Sequence, residues 1–368
     1  VAAIFLVGVF APVLASGHPL VVREFDEATS TRTVTWTIAS WMRPMDVALL
    51  VSLPVLVLGL VLPARSGWKR LGRTAVLLVA CLLGGAIGEA ATPVRLAVFD
   101  PTLHHATAER TATFAVVPFS PGERIPGADA RFAPPGTGPE AGSGRVFGLG
   151  SDGRGQDVRA HLIHGARTAV LVSLGATGIA MAIGIGFGAL MGWFGGWVDA
   201  VLMRIVEGAM AIPVLLILVV AAGVLPRLLG ITILVIGLVT WTDAARLMRA
   251  ECMRLRDQDF VLAARASGAS PWRIVTRHVL PSALPPLLVE ASFALAAAVL
   301  YEASLSFLGL GPTAGGEGAS WGRLLAASLD AAGRPVLWLS IPAGAMIFLT
   351  AMSLHTIGDT LRHALARR

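Results

Sequence analysis

Residues 246–286 read RLMRAECMRLRDQDFVLAARASGASPWRIVTRHVLPSALPP, and apolar runs of membrane length flank them on both sides. A basic loop between two membrane helices belongs on the cytoplasmic side. This one holds, over 246–278, seven arginines against Glu251, Asp257 and Asp259, a formal +4. It is also too ordered to be a plain connection. Asp259 is placed to cap a short helix running through Ser267, and Gly268 supplies the left-handed residue that ends it. Ser270 and Pro271 form an N-cap and first-turn pair for a second helix. That helix is expected to reach about His278 and to stop at Pro281, with Pro285 and Pro286 behind it. Ala263, Ala264, Gly268 and Ala269 give the first helix and its turn a surface of small side chains, on which another protein's backbone can close. The stretch describes a membrane protein presenting a docking element to a cytoplasmic partner.

Composition agrees. The chain of 368 residues is 55% hydrophobic and 14% charged, with a mean hydropathy of +0.73, outside the range of soluble domains. Its net charge of +6 raises nucleic acid as a partner. The basic residues, however, are scattered between apolar spans, which fits positive-inside loops and anionic lipid instead. Lys69 alone is lysine among 29 basic residues, so no phosphate-cradling GxxxxGK[ST] loop exists, and if the chain takes part in primary transport the energy must come from another polypeptide. Cys81 and Cys252 fall in a span and in the basic loop, without metal-ligand spacing and with little prospect of a structural disulfide.

Spans need about 17–25 apolar residues. Candidates are 46–63, 73–95, 168–194, 199–225, 228–247, 287–310 and 336–357. Residues 1–15 make a shorter run, read as an uncleaved helix or as a signal-peptide core with small residues near Ala15. The total is about eight helices. Threading them puts 17–45, 96–167, 226–227 and 311–335 outside. It puts 64–72, 195–198, 246–286 and the tail inside, with both termini cytoplasmic. Trp41, Trp68, Trp193, Trp197 and Trp338 lie near span ends, where an interfacial belt places them. Residues 118–151, rich in Pro and Gly and without apolar period, are expected to be a flexible or loosely packed external loop.

FVLAARASGASPWRIVTRHVLP (260–281) resembles the EAA loop of permease subunits in ATP-binding-cassette importers. The wider resemblance is to the C-type permease of the oligopeptide/dipeptide/nickel class. LGSDGRGQDVRAHLIHGAR (149–167) resembles that class's GTDxxGRD segment, and YEASLSFLGLG (301–311) its E-A-S-L-S-F-L-G-L-G run. WGRLLA (321–326), IGDTLRHALARR (357–368) and APVLASGHPLVVR (11–23) resemble its closing outer loop, tail and first-helix end. Leu262 departs from the loop's name-giving Glu, Gln156 from the Arg of GRD and Ser282 from a frequent Asn.

The resemblance implies an all-α integral membrane protein with a type I importer (MetI-like) permease core of six helices. It divides the chain into a first helix (1–15), an outer segment (16–45), an additional two-helix hairpin (46–95), an extracytoplasmic Pro/Gly-rich loop (96–167) and the permease domain (168–368). The helix of the 246–286 loop would couple to an ATPase through Leu262, Ala263, Ala264, Arg265, Gly268, Ala269, Ser270, Pro271 and Arg273, with Arg277 also able to meet an acidic rim. Implied partners are a second homologous permease, two ATP-binding subunits, an extracytoplasmic solute-binding protein and membrane lipid, in a bacterial inner membrane. The chain itself is expected to bind no cofactor and no nucleic acid; its partners would use ATP and Mg. Alternating access moves the solute. An ion-coupled secondary transporter or channel, and a membrane scaffold, are the alternatives, although no internal repeat supports the first.

Glu207 and Glu302 fall inside spans, where an ionised side chain costs about 2.5–3.5 kcal/mol on insertion scales. Each must face protein or water, which makes them pathway or gate candidates. Glu89 and Glu290 sit nearer span ends. Asp152, Gly155 and Asp157 form an outer-mouth motif, with turn and N-cap contacts for the two acids and docking of a binding protein as a further role. His161 and His164, three apart, and the pair His104–His105 lack a third metal ligand nearby.

Overall fold

The computed structural model describes residues 2–16, 20–26, 31–36, 42, 46–48, 50–52, 110–113, 115–120, 122–125, 130–138, 145–313, 318–329 and 333–366. Most of the 46–95 hairpin lies outside the described residues, as do Trp41, Trp68, Lys69, Cys81, Glu89 and His104–His105. In chain order the elements are α1 (Ala2–Leu14), β1 (Val21–Asp26), β2 (Thr31–Trp36), β3 (Arg110–Thr113), α2 (Val158–Phe194), α3 (Gly196–Met210) and α4 (Val214–Val224). They continue with α5 (Leu229–Val239), α6 (Thr242–Leu255), α7 (Asp259–Ala266), α8 (Pro271–Ile274), a π-helical turn (Val275–Val279), α9 (Leu280–Phe307), α10 (Trp321–Ala326) and α11 (Leu337–Ala366). The membrane part is helical, as expected. The sequence reading had no strands, yet 21–26, 31–36 and 110–113 form an antiparallel sheet ordered β2-β1-β3, with Val21 opposite both Trp36 and Thr113.

Among the described residues, Val158–Phe194, Pro271–Phe307 and Leu337–His363 are long and apolar enough to cross a bilayer alone. Two bent pairs supply two further spans if each pair counts as one: α3 with α4, at 75°, and α5 with α6, at 43°. The bends have local causes. Pro213 caps α4 with extended ψ and disfavours helix at Ile212. Thr240 donates its hydroxyl back to the Ile236 carbonyl at 2.8 Å, a bond that bends helices.

The chain divides into two compact units. The first holds Ala169–Pro312 and Ala345–Arg368, the second Ala2–Thr168 and Thr313–Gly344. In the first, α2 meets α6 along Gly184, Gly188 and Gly192. A Cβ on Gly184 would sit 2.5 Å from Ala244 Cβ, and one on Gly192 2.5 Å from Cys252 Cβ. This small-xxx-small seam lets two membrane helices touch backbone to backbone. Its four-residue spacing was visible in the sequence, inside what reads simply as an apolar run. Asp199, in the first turn of α3, accepts a two-pronged pair from Arg249 of α6 at 2.5 and 2.6 Å, fork geometry that only arginine provides.

In the second unit the expectation of a loose 118–151 segment fails for its described part. Phe119, Ile125, Ala130, Ala133 and Phe147 are buried with Ala15, Val117 and Ala160 in one apolar cluster. Phe119 and Phe147 stack with centroids 5.1 Å apart, and the Arg145 guanidinium lies 4.0 Å over the Phe119 ring. Arg145 also pairs with Glu123 at 2.6 Å and donates to the Pro118 carbonyl, with both charged side chains 4% exposed. Irregular backbone packs here because backbone groups bond across turns, as Phe147 N–H does to the Thr137 carbonyl, and side chains such as Ser151 and Arg145 satisfy others. Arg167 pairs with Asp46 at 2.5 Å, tying the described residues at 46–48 to α2.

Candidate functional site

The basic loop is narrower than the sequence suggests. α6 continues to Leu255, and α8, the π turn and α9 form one continuous helix from Pro271 to Phe307. The expected stop at Pro281 does not occur. Leu280 N–H reaches back five residues to the Val275 carbonyl, and this wide turn comes just before the ring that would otherwise press on the Arg277 carbonyl. Pro285 and Pro286 are likewise carried inside the helix. The expected cap also shifts: Gln258 is the N-cap of α7 without a side-chain bond, and Asp259 is its first helical residue.

What remains is an elbow, α7–turn–α8. Gly268, at φ 77, closes α7 as a Schellman motif: Gly268 N–H bonds the Arg265 carbonyl at 2.9 Å and Ala269 N–H the Ala264 carbonyl at 3.1 Å. Ser270 and Pro271 then occupy N-cap and first-turn positions, as read from the sequence, although the Ser270 hydroxyl makes no cap bond. The elbow is anchored from behind by Val261 and Ile274, buried in the cluster of Met248, Cys252, Leu255, Val279 and Leu287. Ala264 and Ala269 are half-buried and pack against that same cluster, so each supports the elbow from behind. Leu262, Ala263, Arg265, Gly268, Ser270, Pro271 and Arg273 are exposed. So is Arg277, and the Arg265 guanidinium stacks 4.5 Å from the Trp193 ring centroid. Two residues the sequence did not single out share the exposed face: Phe260 at 42% and Trp272 at 72%. Large apolar residues standing free between arginines were the available signal.

The outer-mouth motif is a closed turn. Asp152 Oδ1 accepts from Arg154 N–H at 2.8 Å and Gln156 N–H at 2.9 Å. Gly155 sits at φ 75, and a Cβ there would lie 2.7 Å from the Ile125 carbonyl oxygen. Asp157 Oδ1 caps α2 by accepting from Ala160 N–H at 2.9 Å. Its Oδ2 has no hydrogen-bond partner among the described residues and lies 3.8 Å from Arg159 Nε. Burial pushes the Asp157 carboxyl up to about 6, against the cap bond and the nearby guanidinium of Arg159. The turn and N-cap contacts read from the sequence are therefore present. Contact of either acid with a docking protein is not, since Asp152 is 4% and Asp157 1% exposed.

His161 Nδ1 lies 3.3 Å from the Asp157 carbonyl, and His164 Nε2 lies 2.9 Å from the Ala15 carbonyl, so each ring already faces a backbone partner. Glu302, 2% exposed, accepts from Ser306 Oγ at 2.6 Å. Glu207, its side chain 48% exposed, pairs with Arg204 one turn away at 2.6 Å. The structure brings neither carboxylate to the elbow.

Residues 184–368 match the family described as binding-protein-dependent transport system inner membrane component. A Brucella ovis protein named as a peptide permease is 39% identical over 221 residues, 59% of this chain and 71% of that protein. The oligopeptide transport system permease protein of Bacillus subtilis is 33% identical over 59% of this chain and 70% of its own length. A chain of the methionine transporter MetNI, crystallised inward-facing, superposes with a TM-score of 0.45 at 20% identity, over 55% of this chain and 95% of that one. The family match begins within α2 and takes in the elbow, both bent pairs and the Glu302 helix. The chain belongs to the binding-protein-dependent transport system inner membrane components, and is the multi-pass permease subunit of an ATP-binding-cassette importer.

Proposed function

We propose that this permease carries peptides, the cargo named for its Brucella and Bacillus relatives. It works beside a second homologous permease, over two ATP-binding subunits that use ATP and Mg, and below an extracytoplasmic solute-binding protein. Both termini are cytoplasmic. ATP-driven closure of the two ATPases moves the grooves that hold the permease elbows, and each elbow turns that motion into rocking of the spans. The single observation that carries this reading is the elbow's construction. Its back is locked into an apolar core, its front is open, and it runs without a break into the 37-residue helix Pro271–Phe307.

The seat for the ATPase is Leu262, Ala263, Arg265, Gly268, Ser270, Pro271 and Arg273, flanked by Phe260 and Trp272; Ala264 and Ala269 hold it from behind. Glu302 serves as a gate element, its buried bond to Ser306 fixing the helix end that precedes Gly309. Glu207, paired with Arg204, borders the pathway. The ion-coupled alternative loses its ground with membership of the family.

Ala263→Trp tests the seat. Ala263 is exposed and outside the core cluster, so the variant inserts and folds. Its ATP-driven peptide uptake in proteoliposomes should fall on the order of tenfold to a hundredfold, the cost of one bulky side chain in a packed contact. Uptake equal to wild type, with the ATPase still bound, would refute the placement. Ala264→Trp is the wrong probe, because it overpacks the chain's own core.

A further inference from the structure

The described charges of the second unit are sorted by sign around the 150–157 turn. Within 115–157 the described acids are Glu123, Asp152 and Asp157, at 4%, 4% and 1% exposure. Each is spent internally, on Arg145, on the turn's own N–H groups and on the α2 cap. Three arginines of the same module, Arg124, Arg131 and Arg154, are exposed. The backbone draws all three together. Ile125 N–H bonds the Gly155 carbonyl at 3.4 Å and Phe132 N–H bonds the Asp152 carbonyl at 3.0 Å. Arg124 and Arg131 therefore each neighbour a residue pinned to the turn that carries Arg154. With these acids withdrawn, the exposed charge among the described residues of this rim is positive.

We infer that Arg124, Arg131 and Arg154 form a docking rim for an acidic surface, a carboxylate cluster on the lobes of the solute-binding protein. This rests on the importer reading above and assigns the partner's chemistry at the face that meets it. Three exposed arginines on segments joined by backbone hydrogen bonds suit a protein that presents carboxylates, because charge complementarity at a rim governs encounter rate, register and salt dependence. The acids of the motif hold the rim's shape, and its arginines make the contact.

The test uses the full importer in phosphatidylcholine nanodiscs and the purified binding protein of the same organism. Wild-type affinity should drop about tenfold as NaCl rises from about 50 to about 300 mM. R124E/R131E/R154E should weaken low-salt binding on the order of 30-fold and flatten the salt slope, while R124K/R131K/R154K stays within about threefold of wild type. Should the triple reversal fail to assemble, R131E alone reads the same slope. Binding that is tight yet indifferent to salt and to charge reversal overturns the assignment. So does a defect confined to discs containing phosphatidylglycerol, which would make the arginines headgroup ligands. ATP-driven uptake with no binding protein present would instead sink the importer reading itself.

Discussion

Gly155 and Gly268 have nearly the same backbone, φ 75 and φ 77, in opposite surroundings. The Gly155 turn is gripped from outside itself: Ile125 and Phe132 donate to its carbonyls, Asp152 accepts two of its N–H groups, and a Cβ would press on the Ile125 oxygen. The Gly268 turn sends its backbone hydrogen bonds to its own helix, and a Cβ there meets none of the described residues within 4 Å. A motif glycine that needs both left-handed freedom and space organises the chain's own interior. One that needs the freedom alone leaves an open face for a partner. Two segments that both resemble family signatures thus differ in kind: in the readings proposed above, the first is a scaffold for the arginines around it and the second is itself a surface.

The sharpest way to break this contrast is Gly155→Ala. Left-handed strain of about 1–2 kcal/mol adds to overpacking of about 1–3 kcal/mol. The second unit should lose on the order of 2–5 kcal/mol, read as a lower unfolding midpoint in detergent. A variant as stable as wild type would show that the turn is not gripped.

Asp157 sharpens the comparison through pH. Its carboxyl, raised to about 6 when folded, returns to about 3.9 when unfolded. The folded state therefore binds the proton more tightly. This stabilising contribution is complete below about pH 4, is lost as pH rises through 6, and is absent above. About 1.4 kcal/mol of it should vanish between pH 5 and pH 7.5. The groups facing it are Arg159, Arg145 and His161. Asp157→Asn keeps an N-cap acceptor and cannot titrate. Its unfolding midpoint should fall less between those two pH values than that of wild type; equal falls would place the pH dependence elsewhere.

The sequence carried the described spans between residues 158 and 363 because each must be apolar over most of its length, and it carried the elbow because Gly268, Ser270 and Pro271 have positional meanings that survive any context. The packed outer segment was hidden: Phe119, Ile125 and Phe147 follow no period, and the burial of Glu123 shows only once Arg145, 22 residues on, is seen beside it. The strands at 21–36 and 110–113 pair across more than 70 residues of chain, which no local pattern announces. Pro281 misled for a related reason. Its breaking power is local, but the π turn that relieves it belongs to a membrane helix whose backbone bonds cannot be given up to lipid. Ala264 and Ala269 looked like Ala263 in sequence, and only the direction each faces separates support from surface.

Gly268→Ala carries the smallest expected effect and is the most selective. With open space at the Cβ, only the left-handed strain remains, about 1 kcal/mol. The Schellman bonds to Arg265 and Ala264 run from backbone to backbone and can persist. The variant should therefore insert, show an unfolding midpoint only slightly below wild type, and retain most of its ATP-driven uptake. Set beside the Gly155→Ala loss, that separates conformational freedom from space as the two demands placed on a turn glycine. If Gly268→Ala abolished uptake while stability stayed near wild type, the added methyl would be colliding with something outside this chain. The open face at Gly268 would then be shown to be occupied in the working importer, at a distance closer than one methyl group.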